Sequence, residues 1–261
     1  MHPPLDDYPI HHSLCCVLWR GAETSLEGFA ASLEPALAEL VTELDGSAEL
    51  SGAATGALTL NLADGPPSPL ERSQEDGGQV AALVTLQLPP GNSRAEQARN
   101  AWEVLERHLA PHAHHLDGYL LAVAVARDYE RAWPVGERSP GIKQISLIYR
   151  KPELTEDAFL RHWHLTHTPL ALEVHPLWRY LRGVVVEALS EGAPPYDAIV
   201  ELQFREEEDV TDLTRFYGGD IANMKRIGRD VASFIDLSKI HIVNTSERVL
   251  HAPAPSAAEQ V

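Results

Sequence analysis

Apolar residues in this chain recur with two periods, and the alternation between them sets out its elements. "SLCCVLW", "GALTLNLAD", "QVAALVTLQLP" and "GYLLAVAVARDY" read as strands. Between them, "SLEGFAASLEPALAELVTEL" reads as an amphipathic helix interrupted by Pro35, and "SRAEQARNAWEVLERHLAPHA" as a second helix with Ala98, Trp102, Leu105 and Leu109 near one face. "GPPSPLERSQEDGG", rich in proline, glycine and charge, reads as a long exposed loop. The first half therefore runs β-α-β-β-α-β. After "RAWPVGERSPG" the order repeats: "IKQISLIYR", alternating Ile145, Leu147 and Tyr149; a helix from Thr155; "RYLRGVVVEAL"; "DAIVELQF"; a helical region from Glu206 to Phe234; and "KIHIVNTSERVL".

A β-α-β-β-α-β unit is the ferredoxin-like arrangement, with two helices on one face of an antiparallel sheet. The other face is also apolar and is most simply covered by a second such sheet. The expected fold is thus α+β: two tandem ferredoxin-like repeats packed sheet to sheet as an intramolecular α+β barrel. The expected boundaries are an N-terminal extension at 1–12, a diverged ferredoxin-like domain at 13–133, a linker at 134–141, a second domain at 142–250, and a disordered tail at 251–261.

Composition narrows the function. Among 261 residues, 21 Lys and Arg face 38 Asp and Glu, a formal charge of −17 that repels nucleic-acid backbones and anionic membranes. With no run of about 18 apolar residues and no basic region followed by an apolar core at the N-terminus, the expectation is a cytoplasmic protein without a membrane span or signal peptide. Cys15 and Cys16 are adjacent in a strand, point to opposite faces, and read as buried reduced thiols rather than a disulfide or a zinc site.

Chemistry concentrates in "FLRHWHLTHTPLALEVH", Phe159 to His175, which holds four of the 13 histidines. Thr155, followed by Glu156 and Asp157, supplies an N-cap and an acidic first turn. Pro169 predicts a kink or stop near Thr168. On a regular helix Phe159, Trp163 and Leu170 fall within about 40° and form the buried stripe, with His167 at its edge. His162 and His164 lie about 160° apart and cannot converge on one ion. His164 and His167 lack an obvious third ligand, so no metal is expected. Proton handling suits histidine better, because its unperturbed pKa lies nearest neutrality. The histidines of "HLAPHAHH", His108, His112, His114 and His115, sit at a helix end where donors meet unpaired carbonyls.

With "FLRHWHLTHTPLA", "RYLRGVVVEA", "PPYDAIVELQF" and "FIDLSKIHIVNTSERVL" in view, the stretch from about Lys143 to Leu250 resembles the EthD family of small α+β barrel proteins. The resemblance implies a ferredoxin-like domain that pairs sheet to sheet, normally as a dimer. Here the first half would act as a built-in partner, although its helix "LEGFAASLEPALAEL" contains no histidine. It also implies that His162, Trp163 and His167 line a cleft between sheet and helices, with Tyr196 and Asp197 beginning an adjacent strand. It leaves His164 open, and His164 is expected to be dispensable.

The reading this supports is a cofactor-independent enzyme of dehydratase, isomerase or oxygenase type, acting by histidine acid/base chemistry on an apolar, aromatic or polyketide-like substrate. His167 is the expected base or acid, with His162, Asp197 and Tyr196 as further catalytic candidates. Trp163, Trp178, Tyr180 and Phe234 are the expected substrate-binding residues. The partner is a small molecule, without nucleic acid or membrane, and a homodimer of the internally paired chain is a further expectation. No cofactor is required. The alternatives are a haem-binding barrel with an axial histidine and a non-catalytic small-molecule-binding accessory protein.

Overall fold

The computed structural model describes residues 7–46, 56–68, 71–90 and 94–252. Period-two alternation governs its strands: β1 (Ile10–Arg20), β2 (Leu58–Leu62), β3 (Gln79–Leu88), β4 (His115–Arg127), β5 (Ile142–Ile148), β6 (Arg179–Ala188), β7 (Ala198–Phe204) and β8 (His241–His251). They close into one barrel in the order β1-β3-β2-β8-β5-β7-β6-β4. Within the first half the order is β4-β1-β3-β2, and within the second β6-β7-β5-β8. The halves are joined by antiparallel seams between β2 and β8 and between β4 and β6.

The adjacent cysteines show how alternation builds three apolar layers. Cys15 points into the lumen with Val17, Trp19, Ile145, Leu147 and Ile199. Cys16 points out with Leu14 and Leu18 toward α1 (Leu26–Gly46) and α2 (Arg94–Leu109). Both thiols are free, buried and pushed up by that burial. The outer face of the second sheet packs against α3 (Glu156–His162), α4 (Thr168–Val174) and α7 (Ala222–Phe234). Two short helices, α5 (Glu208–Thr211) and α6 (Leu213–Phe216), precede α7.

Several details differ from expectation. β1 begins at Ile10, inside the stretch read as an extension, and β8 reaches His251; the rest of the expected tail, 253–261, lies outside the described residues. Pro35 does not interrupt α1. It lies on the exposed face, as does Ala31, so water can meet the carbonyl that its missing N–H leaves without a partner. The helical region from Glu206 to Phe234 is three helices rather than one. The linker stretch is pinned along β8, with the Gly136 and Ser139 amides donating to the carbonyls of Val249 and Glu247.

Candidate active site

Between the outer face of the second sheet and helices α3, α4 and α7 lies a cleft of about 270 Å³. Alternation along β5 places Ser146 and Ile148 on its floor, while Ile145 and Leu147 turn to the lumen. Trp163, Tyr180, Phe216 and Phe234 supply aromatic walls, and His167 and His175 bring imidazoles to the same space. Trp163 Nε1 donates to the Tyr180 hydroxyl at 3.1 Å, which fixes both rings in the wall.

The helix that carries the histidines starts where its cap predicts, with the Thr155 hydroxyl accepting from the Ala158 amide at 3.2 Å. It does not stop at Pro169. Instead residues Trp163–His167 form a π-helical turn in which the Thr168 amide donates to the Trp163 carbonyl, and Pro169 sits in the first turn of α4, where its missing N–H is not needed. The Thr168 side chain secures this turn: it is fully buried, donates to the Trp163 carbonyl at 2.9 Å, and accepts from Arg182 Nη1 at 3.0 Å. Replacing Thr168 by valine removes both bonds at nearly constant volume. Urea denaturation should show a loss of about 1–3 kcal/mol, the cost of unmatched buried polar groups.

The wide turn has a chemical result. On a regular α-helix His162 and His167 would stand about 140° apart. Here both reach the same carboxylate, with His162 Nε2 2.8 Å from Asp230 Oδ1 and His167 Nδ1 2.6 Å from Asp230 Oδ2. Asp230 projects from α7, and its side chain is only 9% exposed. Burial raises its pKa, but hydrogen bonds from His167 and His162 outweigh that and hold it below the usual carboxylate range. An ionised carboxylate only accepts, so His167 donates from Nδ1 and, when neutral, keeps its lone pair on Nε2. His162 is the more exposed of the two and also faces the Ser233 hydroxyl.

Not every expected residue joins this group. Trp163, Tyr180 and Phe234 line the cleft, but Tyr196 and Asp197 are not brought to His167. Both precede β7, in a loop where strand alternation does not set direction. Tyr196 turns into the lumen against Tyr119 and Tyr149, while Asp197 is held by the Arg150 guanidinium and accepts from its amide at 2.8 Å. Trp178 stacks on Tyr129 at 4.2 Å, with Arg205 over its ring, in an open surface groove. His164 packs at a tilt against the Trp163 ring, 5.4 Å between centroids, and the histidines bonded to Asp230 are His162 and His167. His108, His114 and His115 meet Glu43, Asp76 and Asp117 separately.

Asp230 and His175 were not anticipated. The signal for Asp230 is a carboxylate interrupting the stripe of Ile227, Val231 and Phe234 on α7. His175 closes the same histidine-rich stretch, just past the end of α4.

The lumen holds a separate polar pocket containing Lys143, Glu201, Glu247 and Arg179. At about 70 Å³ it has room for roughly two waters. The larger, apolar cleft is the better substrate site. Among the described residues, no group of three or more His, Cys, Asp or Glu is placed to hold a metal ion, and no helix is long and apolar enough to cross a membrane.

Comparison with known families places this geometry: residues 151–238 match the EthD domain. The second half carries an EthD domain. His162, His167, His175 and Asp230 all fall within it. Among solved structures the chain is similar to an anthrone oxidase-like protein, with TM-score 0.58 and 11% identity over 95% of this chain and 100% of that one. It is also similar to a mutant chlorite dismutase from Candidatus Nitrospira defluvii, with TM-score 0.45 and 11% identity over 94% of this chain and 93% of that one. Comparison with curated proteins gave no match. The first of these likenesses concerns the barrel fold and extends over both halves.

The EthD cleft does not fit haem. A haem needs space for a flat macrocycle and cationic partners for its propionates, whereas no lysine or arginine lines these 270 Å³. That volume lies just below the range of about 300–1,000 Å³ usual for small-molecule pockets.

Proposed function

We propose that this protein is a small-molecule enzyme in which His167 moves a proton on a largely apolar substrate held in the EthD cleft. The observation that supports this most directly is the bond from His167 Nδ1 to the part-buried Asp230, which presents Nε2 as the base. His167 takes a proton from an acidic C–H or O–H of the substrate, and Asp230 stabilises the imidazolium that results. The proton then returns to another carbon in an isomerisation or to a departing hydroxyl in a dehydration. With dioxygen as co-substrate, the same enolate would supply the electrons for oxidation. None of the proton transfers draws on a resident cofactor. His162 is a positioning residue that shares Asp230, and Trp163, Tyr180 and Phe234 enclose the substrate. In this reading the two halves are diverged copies of one ferredoxin-like unit, the first serving as built-in sheet partner to the second.

The test follows hydrogen exchange in deuterium oxide by NMR, using aryl ketones with acidic methylene groups, anthrone among them, with and without ring hydroxyls. The wild type should accelerate exchange over buffer, and His167→Ala should lose about 10²–10⁴-fold, the usual worth of a general base. Exchange at the wild-type rate in a folded His167→Ala protein would overturn the assignment. Ligand binding without any exchange would favour a carrier instead.

A further inference from the structure

His175 stands just past the end of α4, and its ring lines the cleft with only 5% of the residue exposed. Its Nδ1 lies 2.8 Å from the carbonyl oxygen of Phe216. A carbonyl only accepts, so Nδ1 holds the ring proton and Nε2 keeps a bare lone pair. Burial pushes His175 down to about 4, so the ring stays neutral near pH 7 and the lone pair persists. The Phe216 contact is the one hydrogen bond of the ring among the described residues. Tyr217, at 5.6 Å between ring centroids, packs against it without bonding.

The cleft thus combines aromatic walls, a base at His167 and a fixed acceptor at His175. A ligand that shuts water away from this acceptor without matching it loses binding free energy, so a site built around one disfavours ligands that bring no donor. A ketone oxygen would add a second acceptor and be repelled there. A hydroxyl on an aromatic ring supplies the missing proton and suits the walls around it.

We propose that Nε2 of His175 is the recognition acceptor for a ring hydroxyl, so that the cleft selects phenolic substrates over their ethers. This rests on the reading of the cleft as a proton-transfer site and names its substrate class. The hydroxyl is separate from the carbon acid that meets His167, so one molecule engages both imidazoles. His175 is here a specificity residue and performs no step of the proton transfer.

The experiment compares binding of a naphthol, its methyl ether and naphthalene by isothermal titration calorimetry. The naphthol should bind the wild type about tenfold to a hundredfold more tightly than the ether, as expected for matching a buried acceptor. In His175→Phe the two should bind within about twofold of each other, because the aromatic surface remains and the acceptor is gone. His175 also holds the Phe216 segment, so a second measurement needs no variant: in nitrogen NMR of the wild type, the His175 Nε2 signal should shift with naphthol and not with the ether. Equal affinities, an unmoved Nε2 signal or no naphthol binding would overturn the proposal. His167→Ala separates the two readings. Loss of hydroxyl preference with His167-dependent exchange intact ends only this inference, and preserved preference with His167-independent exchange ends only the proposed function.

Discussion

Replacing Asp230 by asparagine should lower proton-exchange activity by about 10²–10⁴-fold while leaving the barrel folded, a loss comparable to removing the base itself. Asp230 offers one oxygen to each of two histidines. Asparagine has a single oxygen and an amide NH₂, so one histidine must adopt the other tautomer or turn away. The imidazolium formed at His167 also loses its counter-charge. Because the hydrogen bonds from His167 and His162 hold Asp230 below its ordinary value of 3.8, it is ionised throughout the neutral range. Its folded pKa is the lower one, so its contribution to stability is fully present above the unfolded value and is lost as pH falls through the folded value. An acid limb of the wild-type rate profile above about pH 5 should therefore not come from Asp230. Exchange kinetics and circular dichroism on the same sample check both parts. Activity within about threefold of wild type in Asp230→Asn would show that the carboxylate does not orient the base.

The largest expected stability effect lies in the lumen. Lys143 is 1% exposed and its Nζ bonds Glu201 at 2.6 Å and also Glu247, whose side chain is equally buried. Burial opposes ionisation of Glu247, but Lys143 and Arg179 overcome it and pull its carboxyl down to about 2. Ser139 and Tyr129 hydroxyls complete its coordination at 2.7 and 3.1 Å. Lys143→Met would leave two carboxylates facing Arg179 alone, and breaking such a pair costs about 3–5 kcal/mol. The double variant Lys143→Met/Glu247→Gln removes both charges and should recover much of that loss. The folded pKa of Glu247 is depressed, so its stabilisation is present above the ordinary value of 4.5 and disappears as pH falls from there toward about 2. In Lys143→Met the acid unfolding midpoint should move upward. Urea denaturation at neutral pH, followed by an acid titration, measures both, and a loss under about 1 kcal/mol for the single variant would show that water already reaches the lumen charges.

The strands were legible because alternation is a local signal: "IKQISLIYR" predicts β5, and its outward residues became the floor of the cleft. The N-cap at Thr155 was legible for the same reason. What escaped detection depended on partners distant in sequence. Nothing near Pro169 announces a π turn, since its stability rests on Arg182 holding Thr168 and on α7 presenting Asp230. Tyr196 and Asp197, expected from the resemblance to begin the adjacent strand, instead precede it in a loop, where Asp197 belongs to Arg150. Trp163 was placed on the cleft wall by the helix stripe and the motif together, and Tyr180 and Phe234 stand in the same wall. His175 needed the Phe216 carbonyl, 41 positions away in the chain, before its free nitrogen acquired meaning.

The π turn also bears on how this helix tolerates change in length. Residues five apart across it face one carboxylate, and in an uninterrupted α-helix residues four apart would do the same, within about 40° of each other. The turn is therefore equivalent to a single-residue insertion absorbed without disturbing the histidine pair. Leu165, inside the turn, is half exposed to solvent and is a position the core can spare. A lineage lacking that residue would spell the pair as i, i+4 and still share the aspartate, so an unequal histidine spacing between two such sequences need not signal different chemistry.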